Sequence, residues 1–129
     1  PEDQAFQLGE KAIRFYKGPF LPSDTALPWT VHCRETLKSS LLHLMITNGR
    51  HYEEAGDWDR AAKYYIKGLD LDGLAEIFYQ RLMVCYQKLG SNADVARTYA
   101  RCRSQLRAHL GAEPSVKTHS IYSSVLKKR

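Results

Sequence analysis

Histidines, cysteines and carboxylates are the side chains that could do chemistry in this chain, and their spacing decides which chemistry is open. The five histidines, His32, His43, His51, His109 and His119, form no H-E-x-x-H pair, and none stands at zinc-ligand spacing from a pair of cysteines. His32 and Cys33 are neighbours and so point in different directions on a helix. Cys33, Cys85 and Cys102 include no C-x-x-C, and an odd, unpaired set fits a reducing cytoplasm better than a disulfide scaffold. Glu53, Glu54, Asp57 and Asp59 gather acid at what reads as a helix turn, where capping and solvation account for them. There is no Gly-rich phosphate loop and no G-x-S-x-G. The parts of an enzyme are not assembled, and the sequence calls for no catalysis, cofactor or metal.

Arginine is the remaining reactive chemistry. Arg97 and Arg101 share one helical face, and Arg103 and Arg107 share a flanking one. The four make a basic rim that could meet phosphates or an acidic surface, and an ordinary solvated helix face is the plainer reading. Aromatic residues do not alternate with these arginines, so a stacking platform for single-stranded nucleic acid is unsupported. The net charge of +5 adds little to the case, because Lys127, Lys128 and Arg129 supply much of it at one end.

The elements that must position these groups read as helices throughout. At 129 residues, 43% hydrophobic and 26% charged, the chain has the size and balance of one ordinary domain. No apolar run approaches the roughly 18 residues of a membrane span; the longest, Leu41–Ile46, is broken by His43. The chain opens at Pro1-Glu2-Asp3 with neither an initiator methionine nor a leader-like stretch, and it is expected to be a domain of a longer protein. Phe6, Leu8, Ala12, Ile13 and Phe15 place a first helix over 3–16, and the prolines and glycine from Gly18 to Pro28 impose a loop rich enough in apolar residues to pack. A long helix is predicted from Trp29 to Ala55, with a possible bend at Gly49, then helices from Trp58 to Asp70, Leu74 to Leu89, and Ser91 or Asn92 to Leu110. A last helix follows, with Pro114 in its first turn.

An offset of 34 residues superposes Tyr52 on Tyr86, Gly56 on Gly90, Ala61 on Val95, Ala62 on Ala96, Tyr65 on Tyr99 and Gly68 on Cys102. A helix–turn–helix unit repeating every 34 residues is the tetratricopeptide period. Gly49, Ala61 and Gly68 would let neighbouring helices approach closely, and Gly56 would supply the left-handed residue of a turn. The expected fold is all-α: a tetratricopeptide-like right-handed stack of antiparallel helix pairs, about six to seven helices in all. Residues 1–28 would form a capping helix and packed loop, 29–110 two units, and 114–126 a terminal helix.

The chain also resembles the bacterial transcriptional activator domain found in SARP-type and related bacterial regulators. The resemblance rests on Tyr16-Lys17-Gly18-Pro19-Phe20-Leu21-Pro22, Pro28-Trp29, Arg34 and Leu37, then Gly56-Asp57, Ala61-Ala62, Tyr65 and Leu69. It continues through Glu76, Tyr79-Gln80-Arg81-Leu82-Met83, Tyr86, Gly90, Ala96, Tyr99, Arg103, Leu106, Leu110-Gly111, Pro114-Ser115, Thr118 and Tyr122. Asp72-Gly73 departs from the Asp-Pro common in the family, and the turn there should be less rigid. The resemblance implies a cytoplasmic, non-catalytic module for self-association, regulation and contact with RNA polymerase. DNA would be contacted through a separate winged-helix domain. Two other readings stay open: a free-standing adaptor that binds another protein's segment, and a sensor domain holding a small ligand.

Tetratricopeptide stacks bind partners along the first helix of each unit. Carried across by position, that groove would show His43, Ile46, Arg50, Glu53 and Glu54 from one unit, and Ile77, Gln80, Val84, Gln87 and Lys88 from the next. The competing reading is that the chain's own terminal helices fill the groove.

Overall fold

The structure, a computed structural model, describes residues 28–127. The helix expected over 3–16 and the loop up to Pro28 lie outside the described residues. Within them there are five helices and no strand: α1 (Pro28–Glu54), α2 (Trp58–Leu71), α3 (Glu76–Lys88), α4 (Asn92–Leu110) and α5 (Val116–Lys127). Each of the first four packs on the next, and α5 returns to lie chiefly on α3. This is an all-helical, tetratricopeptide-like stack of antiparallel helix pairs.

Proline opens α1 at a position where a missing N–H costs nothing. The helix then buries Leu41, Met45, Gly49 and Tyr52, one side of a 3.6-residue period. It runs through Gly49 without a break. A Cβ at Gly49 would lie 2.5 Å from Cζ and 2.9 Å from Oη of Tyr65, so the residue is glycine because α2 presses an aromatic ring against it. Gly68 on α2 does the same for Phe78 on α3.

The two turns predicted at the 34-residue spacing close alike. Gly56 (φ +77°) and Gly90 (φ +76°) are left-handed. Asp57 N donates to Tyr52 O (2.9 Å) and Gly56 N to Glu53 O (3.0 Å); Ser91 N donates to Tyr86 O (2.9 Å) and Gly90 N to Gln87 O (3.1 Å). Asp57 caps α2 as expected, accepting from Arg60 N at 3.2 Å. The Asp72-Gly73 turn is pinned without proline. Asp72 Oδ1 accepts from Leu74 N (3.1 Å), and Tyr79 Oη donates to Gly73 O (2.7 Å). Those bonds occupy the backbone ahead of α3, and the helix starts at Glu76 rather than Leu74. Pro114 likewise lies ahead of α5 instead of within its first turn. Ser115 is the cap, its Oγ accepting from Thr118 N at 3.3 Å.

The core has two parts. Leu41, Met45, Tyr52, Ala61, Tyr65, Leu69, Phe78, Tyr79 and Leu82 join α1, α2 and α3, with Cys102 and Leu106 from α4. Met83, Val95 and Val125 form a second cluster with Tyr86, Tyr99, Ile121 and Tyr122. Because α3 has α2, α4 and α5 as neighbours, it buries Tyr79, Gln80 and Met83 as well as Phe78, Leu82 and Cys85.

Candidate partner groove

Between α1, α3 and α5 lies a groove of about 310 Å³, lined by Arg50, Glu53, Glu54, Ile77, Gln80, Arg81, Lys117 and Ile121. Five of the ten groove residues proposed from sequence, Arg50, Glu53, Glu54, Ile77 and Gln80, do come together here. The others sit elsewhere. Ile46 packs against the main core. His43 is exposed, and Val84 and Gln87 are half-buried, but none of the three lines the groove. The ammonium of Lys88 lies 5.7 Å over the Trp58 ring and so faces α2. The sequence missed Lys117 and Ile121, because only the return of α5 onto α3 brings them into this wall, and Arg81, because its partner Glu53 is 28 residues away.

Glu53 belongs to the floor. Its side chain is 9% exposed, and its two oxygens accept from Arg81, with Nε at 3.0 Å and Nη2 closer, while Tyr65 Oη also donates to it. Burial, and then the Glu53 carboxylate, push the Tyr65 phenol above its ordinary pKa, and the hydrogen bond to Glu53 holds the Arg81 guanidinium charged. One carboxylate thus ties α1, α2 and α3 together and has little left to offer a partner. Arg50, Glu54 and Lys117 are the exposed rim.

Gln80 is not a free contact either. It is 5% exposed, and its amide donates to Thr118 Oγ1 at 2.8 Å. Thr118 in turn donates to Glu76, which also accepts from Ser115 N at 3.0 Å. This polar latch seats the start of α5 on α3, so α5 covers part of the first-helix surface. Burial pushes the Glu76 carboxyl up, but donation from Thr118 and Ser115 outweighs it and leaves the group below its usual 4.5. A carboxyl depressed in the folded state adds stability that is present above the unfolded value and is lost as the pH falls through the folded one. Replacing Glu76 with glutamine should therefore cost about 1 kcal/mol at neutral pH, and the difference should fade as the pH falls below about 4. Urea midpoints of both proteins from pH 7 to pH 3 would measure it, and a gap unchanged at pH 3 would contradict the latch.

The basic rim is exposed, but three of its four arginines already have partners. Arg97 pairs with Asp94, while Glu113 bridges Arg103 (3.2 Å) and Arg107 (2.5 Å). Among the described residues no three of His, Cys, Asp and Glu gather as metal ligands, and no helix is long and apolar enough to cross a membrane. Cys85 and Cys102 are fully buried, and burial pushes both thiols up to about 12. They fill space as small apolar groups.

What the geometry defines is an all-helical repeat domain with a mixed-charge groove. The chain belongs to the family described as bacterial transcriptional activator domain, whose model matches residues 2–126. The family is a regulatory module of bacterial transcriptional activators. No similar curated protein and no similar solved structure was found for the chain.

Proposed function

We propose that this chain is the non-catalytic interaction and dimerisation module of a bacterial transcription activator whose winged-helix DNA-binding domain lies outside it. It acts in the cytoplasm. Its partners are a second copy of itself and RNA polymerase, and it meets DNA through that separate domain. The family match across nearly the whole chain carries this reading. The groove between α1, α3 and α5 supports it, because an apolar wall (Ile77, Ile121) beside exposed charge (Arg50, Glu54, Lys117) suits a protein segment.

The test needs side chains that hold nothing else in place. Gln80 fails that condition, whereas Arg50 and Lys117 are exposed. With purified bacterial RNA polymerase passed over the immobilised chain, saturable binding is expected. Arg50→Glu combined with Lys117→Glu should weaken it about tenfold without lowering the melting temperature. A folded double variant that binds polymerase as well as the original chain would overturn the groove's role.

A further inference from the structure

The outer face of α4 carries a second groove, distinct from the first. Ala96, Ala100, Ser104 and Ala108 recur every four residues and are all exposed. Beside them Tyr99 stacks on Tyr122, with ring centroids 4.1 Å apart and planes 5° from parallel. The resulting groove measures about 740 Å³. Among the described residues no helix covers this face of α4. Ala62, the counterpart of Ala96 one unit earlier, is buried at 4%, whereas α5 leans chiefly onto α3, meets α4 through Tyr122 and Val125, and leaves Ala96 exposed. Small residues at this spacing let another helix come within roughly 8–10 Å, axis to axis.

The charge around this groove selects the occupant. Arg103 and Arg107 line it, and Arg97 and Arg101 stand exposed on the same helix. A second copy docked face to face would bring the same arginines against each other, which like-charge repulsion opposes. Nucleic acid would meet phosphate-binding arginines, but a floor of alanines and a tyrosine stack offers nothing to a phosphate backbone. Glu113, from the α4–α5 connection, shows what the site accepts: Oε1 takes a hydrogen bond from Arg107 Nε at 2.6 Å, and Oε2 takes one from Arg103 Nε at 3.2 Å.

We propose that the α4 groove docks an acidic amphipathic helix of a partner protein, whose apolar side rests on the alanine stripe and whose carboxylates take the place of Glu113. The proposal rests on the reading of the chain as an interaction module, but it uses a surface that the Arg50 and Lys117 substitutions do not touch.

The experiment uses the full 129-residue chain. The probe is a fluorescein-labelled helical peptide with leucines along one face and glutamates flanking them, followed by anisotropy at moderate salt. The same peptide with lysines in place of the glutamates is the comparison. The glutamate peptide should bind and the lysine peptide should not. Ala100→Trp, which fills the groove, and Arg103→Glu with Arg107→Glu should each weaken binding about tenfold or more. Glu113→Gln removes the competitor and should tighten binding about threefold. Arg50→Glu with Lys117→Glu should leave it unchanged, so failure here is separable from failure of the α1/α3/α5 groove. The proposal falls if the two peptides bind equally, if Ala100→Trp has no effect on a folded chain, or if duplex DNA displaces the peptide with equal affinity.

Discussion

Gly68→Ala lowers the melting temperature by about 8 °C, the largest loss expected from a single methyl group in this chain. A Cβ at Gly68 would stand no more than 2.5 Å from three ring carbons of Phe78. That ring is 1% exposed and packed between helices, so it has nowhere to retreat. Overpacking a filled core costs about 3 kcal/mol, and the better helix propensity of alanine returns about 1, which leaves roughly 2 kcal/mol of destabilisation. Gly73→Ala is the control. A Cβ there meets nothing closer than 3.5 Å and the backbone is not left-handed, so its melting temperature should stay within about 2 °C of the original. Thermal unfolding followed by circular dichroism compares the two. Equal melting temperatures for both variants would show that α2 and α3 are not in the close contact described.

Glu53→Ala should cost about 2–3 kcal/mol, read as a lower urea midpoint with an unchanged slope. The loss comes less from the missing attraction than from what remains. Arg81 would keep its charge with a side chain 32% exposed, and the buried Tyr65 hydroxyl would lose its acceptor. The solvent that reaches Arg81 is the reason for expecting less than a fully enclosed pair would lose. Glu53→Gln preserves an acceptor for Tyr65 and should fall between the two. In a double-mutant cycle with Arg81→Met, a coupling of about 1 kcal/mol or more is expected. A coupling near zero would reduce the contact to a surface pair and remove the cross-brace between α1 and α3.

The helices were legible because glycine and proline punctuate them, and the period was legible because the turns recur. Tyr52-Gly56 and Tyr86-Gly90 adopt the same closure, so their shared spacing reported a shared structure. The correspondence weakens further along each unit. Tyr65 is fully buried and donates to Glu53, while Tyr99 is half-buried, stacks on Tyr122 and reaches His119 Nδ1 at 3.1 Å. Identical residues at equivalent positions diverge because α2 lies between α1 and α3, whereas α4 packs on α3 and meets α5 over only a small area. The candidate groove was half legible. Arg50, Glu53 and Ile77 follow from helical position, but the Glu53–Arg81 pair is separated by 28 residues and leaves no local trace. Gln80 looked like a solvent-facing contact because nothing in the sequence says that Thr118 folds back over it. Lys88 was misplaced for a similar reason: at the end of α3 the helix has turned toward α2, and the Trp58 ring is there to receive the ammonium.

The central claim is that this module joins copies of an activator to each other, and the molar mass in solution tests it most directly. Light scattering behind a sizing column, across about a hundredfold range of concentration, follows the equilibrium by mass action. The account predicts a mass that rises to twice the 14.8 kDa of one chain as concentration increases. A mass of 14.8 kDa at every concentration would contradict it.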